Sequence, residues 1–342
     1  MRFLFNWNNF NLYRRNRCAT TPFSSEGAGW GGEDAWRNMW QVSDMMQNST
    51  AKTRAVQRPQ GTSGETPQRP TLSDARRALA KTLDRALSKV DAALLEPSLT
   101  ILLHEARKAI KEYRALLRLV GTNEAKQARR LAAETARGLS SARDRQACRD
   151  AVAALREADL LNAADAAHII EAIGPDVSEG REAQAHREAL RRWLNAARAL
   201  HASHLIAQVN TADIARNLRK GYALARRVTD WSEPVHLHEL RKRAVTHRYQ
   251  MAFFAAVSGG RGGRRAEKAQ KLREILGGYQ DVETLKQYLA RWPDAQGDLR
   301  DLAIDAGSLY QRRLVKRAHR AHDQLFRRTP RQFGRHVSLA QE

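Results

Sequence analysis

LHEARKAIKEYRALLRLV, running from Leu103 to Val120, is the stretch that decides the fold. Placed on a helix at about 100° per residue, His104, Arg107, Lys108, Lys111, Arg114 and Arg118 fall within about 120° of arc. Ala106, Ile110, Tyr113, Leu117 and Val120 fall on the opposite side. One face is apolar enough to be core, and the other is a ladder of cations headed by an imidazole. A solvated helix face ordinarily mixes signs, so that neighbours four apart attract. Glu105 and Glu112 read as lying beside the ladder rather than in it, which leaves a stripe that repels itself unless an anion offsets the charge.

The pattern returns in LHELRKRAVTHRYQ (Leu237 to Gln250), where His238, Arg241, Lys242 and Arg248 take the spacing of His104, Arg107, Lys108 and Arg114. Val245 stands where Lys111 would be matched, so this second ladder is weaker. Arg216, Arg219, Lys220 and Arg227 form another stripe, and Arg313, Lys316, Arg317 and Arg320 a further one. Arg77, Lys81, Arg85 and Lys89 oppose the apolar Leu79, Leu83, Leu87, Val90 and Leu94. The two LHE segments start 134 residues apart, and LSSARD (Leu139 to Asp144) matches LGGYQD (Leu276 to Asp281) at 137. A three-residue insertion in the Gly-rich stretch 259–263 reconciles the two offsets. The expectation is an internal duplication: two pseudo-symmetric helical bundles, about 71–175 and 179–335, turning their ladders toward one basic central cavity.

Helical periodicity runs from Thr71 almost to the end, over 73–95, 98–120, 123–138, 141–157, 160–173, 179–208, 211–229, 235–257, 264–277, 280–291 and 297–328. Breaks are expected at Gly121, Gly174-Pro175, Pro234, the glycines of 259–263, Gly277-Gly278 and Pro293. The class is all-α. Residues 1–70 differ: they hold four of the seven tryptophans, lack a sustained period and close on the Pro/Gly/Thr-rich RPQGTSGETPQRP, so they read as a disordered or loosely ordered tail and linker. Met45 and Met46 are alternative start positions.

The 342 residues carry a formal net charge of +22, which calls for a polyanionic partner. The tail contributes little of it, with nine Lys+Arg against five Asp+Glu. Two cysteines, Cys18 and Cys148, exclude a disulfide framework and fit a reducing cytoplasm. No stretch has the roughly 18 apolar residues of a membrane span.

In its ordered motifs the chain resembles the CHAD family, the conserved histidine α-helical domain. The resemblance rests on His104-Glu105-Ala106-Arg107-Lys108 and its repeat His238-Glu239-Leu240-Arg241-Lys242. It extends through Ala142-Arg143-Asp144, Leu276 to Asp281 and the closing AHRAHDQLFRRTPRQF, over about 265 residues. It implies two helical bundles around a basic cavity, binding of inorganic polyphosphate, and ligand-facing roles for His104, Arg107, Lys108, Lys111, His238, Arg241 and Lys242. It also implies a cytoplasmic protein found on polyphosphate granules.

Catalytic signatures are missing from the sequence: no ExExK-type triphosphatase motif, P-loop or HExxH. No cofactor or metal is expected, and the protein reads as a non-enzyme. Cys148 reads as a small core residue, and GGRGG (259–263) as a hinge between helices. Nucleic-acid binding is the second reading, but the basic helices carry few of the aromatics that stack on bases. An enzyme acting on polyphosphate is the third. It would need metal-binding carboxylates near the ladders, where only Glu105, Glu112 and Glu239 lie.

Overall fold

The computed structural model describes residues 72–139, 141–174, 181–202, 209, 211–227, 230–293 and 296–337. All belong to one unit, Thr66–Glu342. The expected tail, with Cys18 and the four tryptophans, lies outside the described residues. Eleven helices and no strands occur among the described residues: α1 (Leu72–Leu94), α2 (Leu99–Val120), α3 (Asn123–Gly138), α4 (Ser141–Glu157), α5 (Ala163–Ile173), α6 (Arg181–Ala202), α7 (Thr211–Arg226), α8 (Pro234–Val257), α9 (Gly263–Leu289), α10 (Gly297–Leu325) and α11 (Pro330–His336).

Local chemistry sets many of the ends. Ser98, Thr122 and Asn162 each accept a backbone N–H as N-caps of α2, α3 and α5. Gly121 ends α2 at φ 79°, where a Cβ would meet the Asn217 amide at 2.9 Å. Asn217 itself donates to the carbonyl of Leu119 at 3.0 Å. Gly259, Gly260 and Gly262 turn α8 into α9 at positive φ.

Arginines close other helices from outside. Arg187 donates to the carbonyls of Leu94 (2.8 Å) and Glu96 (2.6 Å) at the end of α1. Arg243 donates to Leu224 near the end of α7, and Arg265 to Leu325, each at 2.7 Å. These C-terminal carbonyls lack intrahelical donors and sit at the negative end of the helix dipole, so a guanidinium satisfies both. Part of the chain's positive charge is thus structural.

Two expectations about the helices are corrected. Residues 264–277 and 280–291 are one helix, α9, with no break at Gly277-Gly278. Both positions lie within the packed helix: a Cβ on Gly277 would lie 3.6 Å from the Arg241 guanidinium and one on Gly278 3.5 Å from Leu314, ordinary contact distances. The span 297–328 ends at Leu325, and a separate short helix follows, fixed by Pro330 and the Thr329–Gln332 capping box.

The apolar face read from α2 is core: Ala106, Ile110, Tyr113, Leu117 and Val120 are all buried. α2 packs against α1, α3, α7 and α8. The buried residues form two clusters. The larger takes in α1, α2, α3, α6, α7, α8, the first part of α9, the end of α10 and α11. The smaller joins α4 and α5 to Val282, Leu285 and Leu289 of α9 and Ala303 and Ala306 of α10. Each cluster draws on residues both before 175 and after 179. Cys148 is buried in the smaller one, and burial pushes its thiol up to about 11.

Candidate functional site: a guanidinium cluster on α2 and α3

The two LHE helices lie against each other. The Tyr249 hydroxyl of α8 donates to the carbonyl of Lys108 on α2 at 3.3 Å, while Glu239, near the start of α8, acts electrostatically on Arg118 near the end of α2. The helices therefore run antiparallel, with the start of the α8 ladder beside the end of the α2 ladder.

The rungs differ in what they do. Arg107 donates to the carbonyls of Ala136 (3.2 Å) and Leu139 (2.5 Å), closing α3. Its sequence-matched counterpart Arg241 lies over Gly277. Glu105 is within the ladder after all, 3.4 Å from the Lys108 amine and 3.8 Å from the His104 imidazole. Glu112 pairs with Lys89 of α1 at 2.6 Å. Lys242 pairs with Glu239 at 2.7 Å. The reading of Glu105 as a bystander is thus overturned, because its side chain reaches the rungs at 104 and 108; Glu112 stands beside the ladder as read, turned toward α1. Lys111 is half-buried. His238 bonds through Nδ1 to the Gln280 side chain at 3.0 Å. Burial and then Lys242 lower its pKa most, with a lesser lowering by Arg241, against raising effects of Gln280 and Glu239.

Arg114 and Arg118 are the rungs that gather charge. Packing desolvates both and lowers both guanidiniums; Arg118 and Arg137 lower Arg114 further. Arg129 is lowered by burial and then by Arg118, Arg114 and Arg130. The Arg129 Nε is buried with no hydrogen-bond partner. Arg129, Arg130 and Arg137 of α3 were missed by the sequence reading. The signal was present, because a wheel of 123–138 places Lys126, Arg129, Arg130 and Arg137 within about 100° of arc.

The remaining stripes are less organised. Arg216 pairs with Asp213 at 2.9 Å, and the aliphatic part of Arg219 packs against Gly334. Lys81, Lys220, Arg313, Lys316, Arg317 and Arg320 are exposed. Arg248 lies over the neighbouring Tyr249 ring at 4.9 Å. Two clefts, of about 490 and 290 Å³, lie elsewhere, where Arg327 and Arg328 line both. None of the ladder residues lines either of them. Among the described residues no group of three or more His, Cys, Asp or Glu is placed to hold a metal ion, and no helix is long and apolar enough to cross a membrane.

What the α2–α3 cluster can do is bind anions. Guanidiniums that raise one another's energy are relieved by a phosphate oxygen, which also accepts paired N–H bonds from each fork. Residues 77–290 match the family model described as CHAD domain. Comparison with curated proteins gives no match.

Proposed function

Because the chain belongs to the CHAD domain family, we propose that it binds inorganic polyphosphate without cleaving it, through the guanidiniums of α2 and α3 and the adjoining start of α8. The observation that carries this reading is the mutual repulsion of Arg114, Arg118, Arg129 and Arg137, drawn from two helices onto one surface. A condensed phosphate chain suits it: one negative charge per internal phosphate, closely spaced, with no bases to be stacked. The family membership supports a polyphosphate-related role, and the protein's place in the cell is then the cytoplasm, at polyphosphate granules.

The test is direct binding of long-chain polyphosphate, duplex DNA and single-stranded RNA to the full chain, at matched salt and matched phosphate concentration. Polyphosphate is expected to bind tightest. Tighter binding of either nucleic acid would replace this reading with the nucleic-acid one. Orthophosphate released from polyphosphate in proportion to protein would overturn its non-catalytic half.

A further inference from the structure

The two clefts noted above lie side by side between α9, the end of α10 and α11. Arg327, Arg328, Gln332 and Arg335 line the larger, and Arg265, Lys268, Gln324 and Leu325 join Arg327 and Arg328 in the smaller. The family match covers residues 77–290, and the resemblance read from the sequence runs on through 318–333, most of this wall.

The frame under these cations is fixed. The Tyr222 and Phe333 rings stack at 4.0 Å and 7°, fully buried, and the Arg265 guanidinium sits 5.4 and 5.1 Å from their centres. Arg265 also donates to Leu325, and the Tyr222 hydroxyl donates to the carbonyl of Arg328 at 2.7 Å. The capping box at Thr329 then sets the direction of α11. These contacts fix Arg265 and pin the Arg328 backbone at the opening before any ligand arrives, which reduces the ordering cost of binding. Arg328 acts repulsively on Arg265, and Arg328, Arg265 and Arg261 act on His336. Asp323, the acid nearest in sequence to this wall, is engaged by His319 at 3.3 Å and His322 at 3.6 Å.

We propose that this C-terminal cleft is a second anion site, separate from the α2–α3 cluster, that takes a compact condensed phosphate: a free di- or triphosphate, or the end group of a longer chain. Arginine forks and the Gln324 and Gln332 amides offer donors to clustered phosphate oxygens. The cleft's aromatic rings are fully buried beneath it, so it offers no face on which a base would stack. The proposal stands on the cleft and does not depend on the ladder reading.

Calorimetric titration of the full chain with inorganic tripolyphosphate tests it. Saturable binding with one tight site is expected, weakened by at least about tenfold in Arg327→Glu/Arg335→Glu and by less than about threefold in Arg156→Glu/Arg192→Glu, two exposed positions outside both surfaces. All four of these side chains approach or reach the surface, and an unchanged melting curve checks each pair. ATP is expected to bind no better than tripolyphosphate; a clear preference for ATP would make the site a nucleotide site and overturn the proposal. Absence of saturable tripolyphosphate binding, or equal losses in the two pairs, would overturn it too. Long-chain polyphosphate measured on the same two pairs separates the sources: loss with the cleft pair shows capture of chain ends, and an unchanged affinity shows free oligophosphate as the ligand. Weak binding of long chains by every variant would count against the proposed function and leave the cleft result standing.

Discussion

Arg107 donates to the carbonyl of Leu139, so a cation from the best-matched motif of the sequence serves to end a neighbouring helix. The Arg107→Ala variant is expected to lose about 1.5–3 kcal/mol of stability, the range for hydrogen bonds made by a charged group. Denaturant unfolding measures this. A variant as stable as the parent would show that the carbonyls of Ala136 and Leu139 find other partners.

Charge reversal at Arg114 and Arg118 separates a dedicated site from diffuse attraction. Arg192 and Arg156, exposed on α6 and α4, supply the control pair. Arg300 is unsuitable because it is partly buried and its side chain bonds to Asp301 at 3.0 Å. Both pairs change net charge equally. The ladder pair is expected to weaken long-chain polyphosphate binding by at least about tenfold more than the control pair, and to lower the salt slope by roughly two. Equal losses would mean that net charge alone attracts the chain.

Longer chains are expected to bind more tightly than short ones to the same surface, since each engaged phosphate holds the next at high effective concentration. Affinity per chain across defined lengths checks this. A flat dependence would confine binding to a few phosphates.

His238 gives the ladder surface a pH dependence. Its folded pKa lies below the ordinary 6.5, chiefly through burial and the nearby Lys242. A bound anion favours the imidazolium and raises that pKa, so binding takes up a proton. Affinity is expected to rise as pH falls through the bound-state pKa and to level off below the lower free-state one. In the His238→Gln variant this increase between pH 7.5 and 5.5 is expected to shrink. An unchanged pH profile would remove His238 from the binding surface.

His247 is buried between Tyr222, Phe326 and Phe333, with neither ring nitrogen hydrogen-bonded. Burial, with Arg265 adding repulsion, lowers its pKa to about 3. The imidazole is neutral when folded and gains a proton near 6.5 when unfolded. Its contribution to stability is therefore present above pH 6.5 and falls as pH drops toward 3, by up to roughly a factor of ten in the folding equilibrium per pH unit. His247→Phe removes two unpaired polar atoms and the titration, so it is expected to gain about 1–3 kcal/mol and to flatten the acid side of the stability curve. Melting at pH 7.5 and 5 reads both effects.

The split faces of α1 and α2 were legible because 3.6-residue periodicity is a local property, and Leu79, Leu83 and Ile110 are buried as their spacing required. Family membership was legible from the paired LHE motifs. The engagement of Arg107 with the end of α3 was not, since its partners are main-chain carbonyls about thirty residues away and leave no side-chain signature. Gly277-Gly278 read as a break because glycine weakens a helix, whereas burial of α9 on both sides of the pair, in the larger and the smaller cluster, holds it continuous. The C-terminal cleft draws Arg265 and Arg335 from helices far apart in the chain. Only the fold shows that they line adjoining clefts.

α9 belongs to both buried clusters: Ala269, Leu272 and Ile275 lie in the larger, Val282, Leu285 and Leu289 in the smaller. Its 27 residues extend about 40 Å as a continuous rod. Such a rod lets the two ends of the molecule come apart at different thresholds. The smaller cluster has far fewer buried side chains to release, so α4 and α5 should exchange their amide hydrogens by a partial opening, well before global unfolding. The stretch of α9 around Leu272, with α2 and α8 packed in the larger core, should exchange only with the whole. Heat would then undo the small end of the protein while the ladder helices remain assembled.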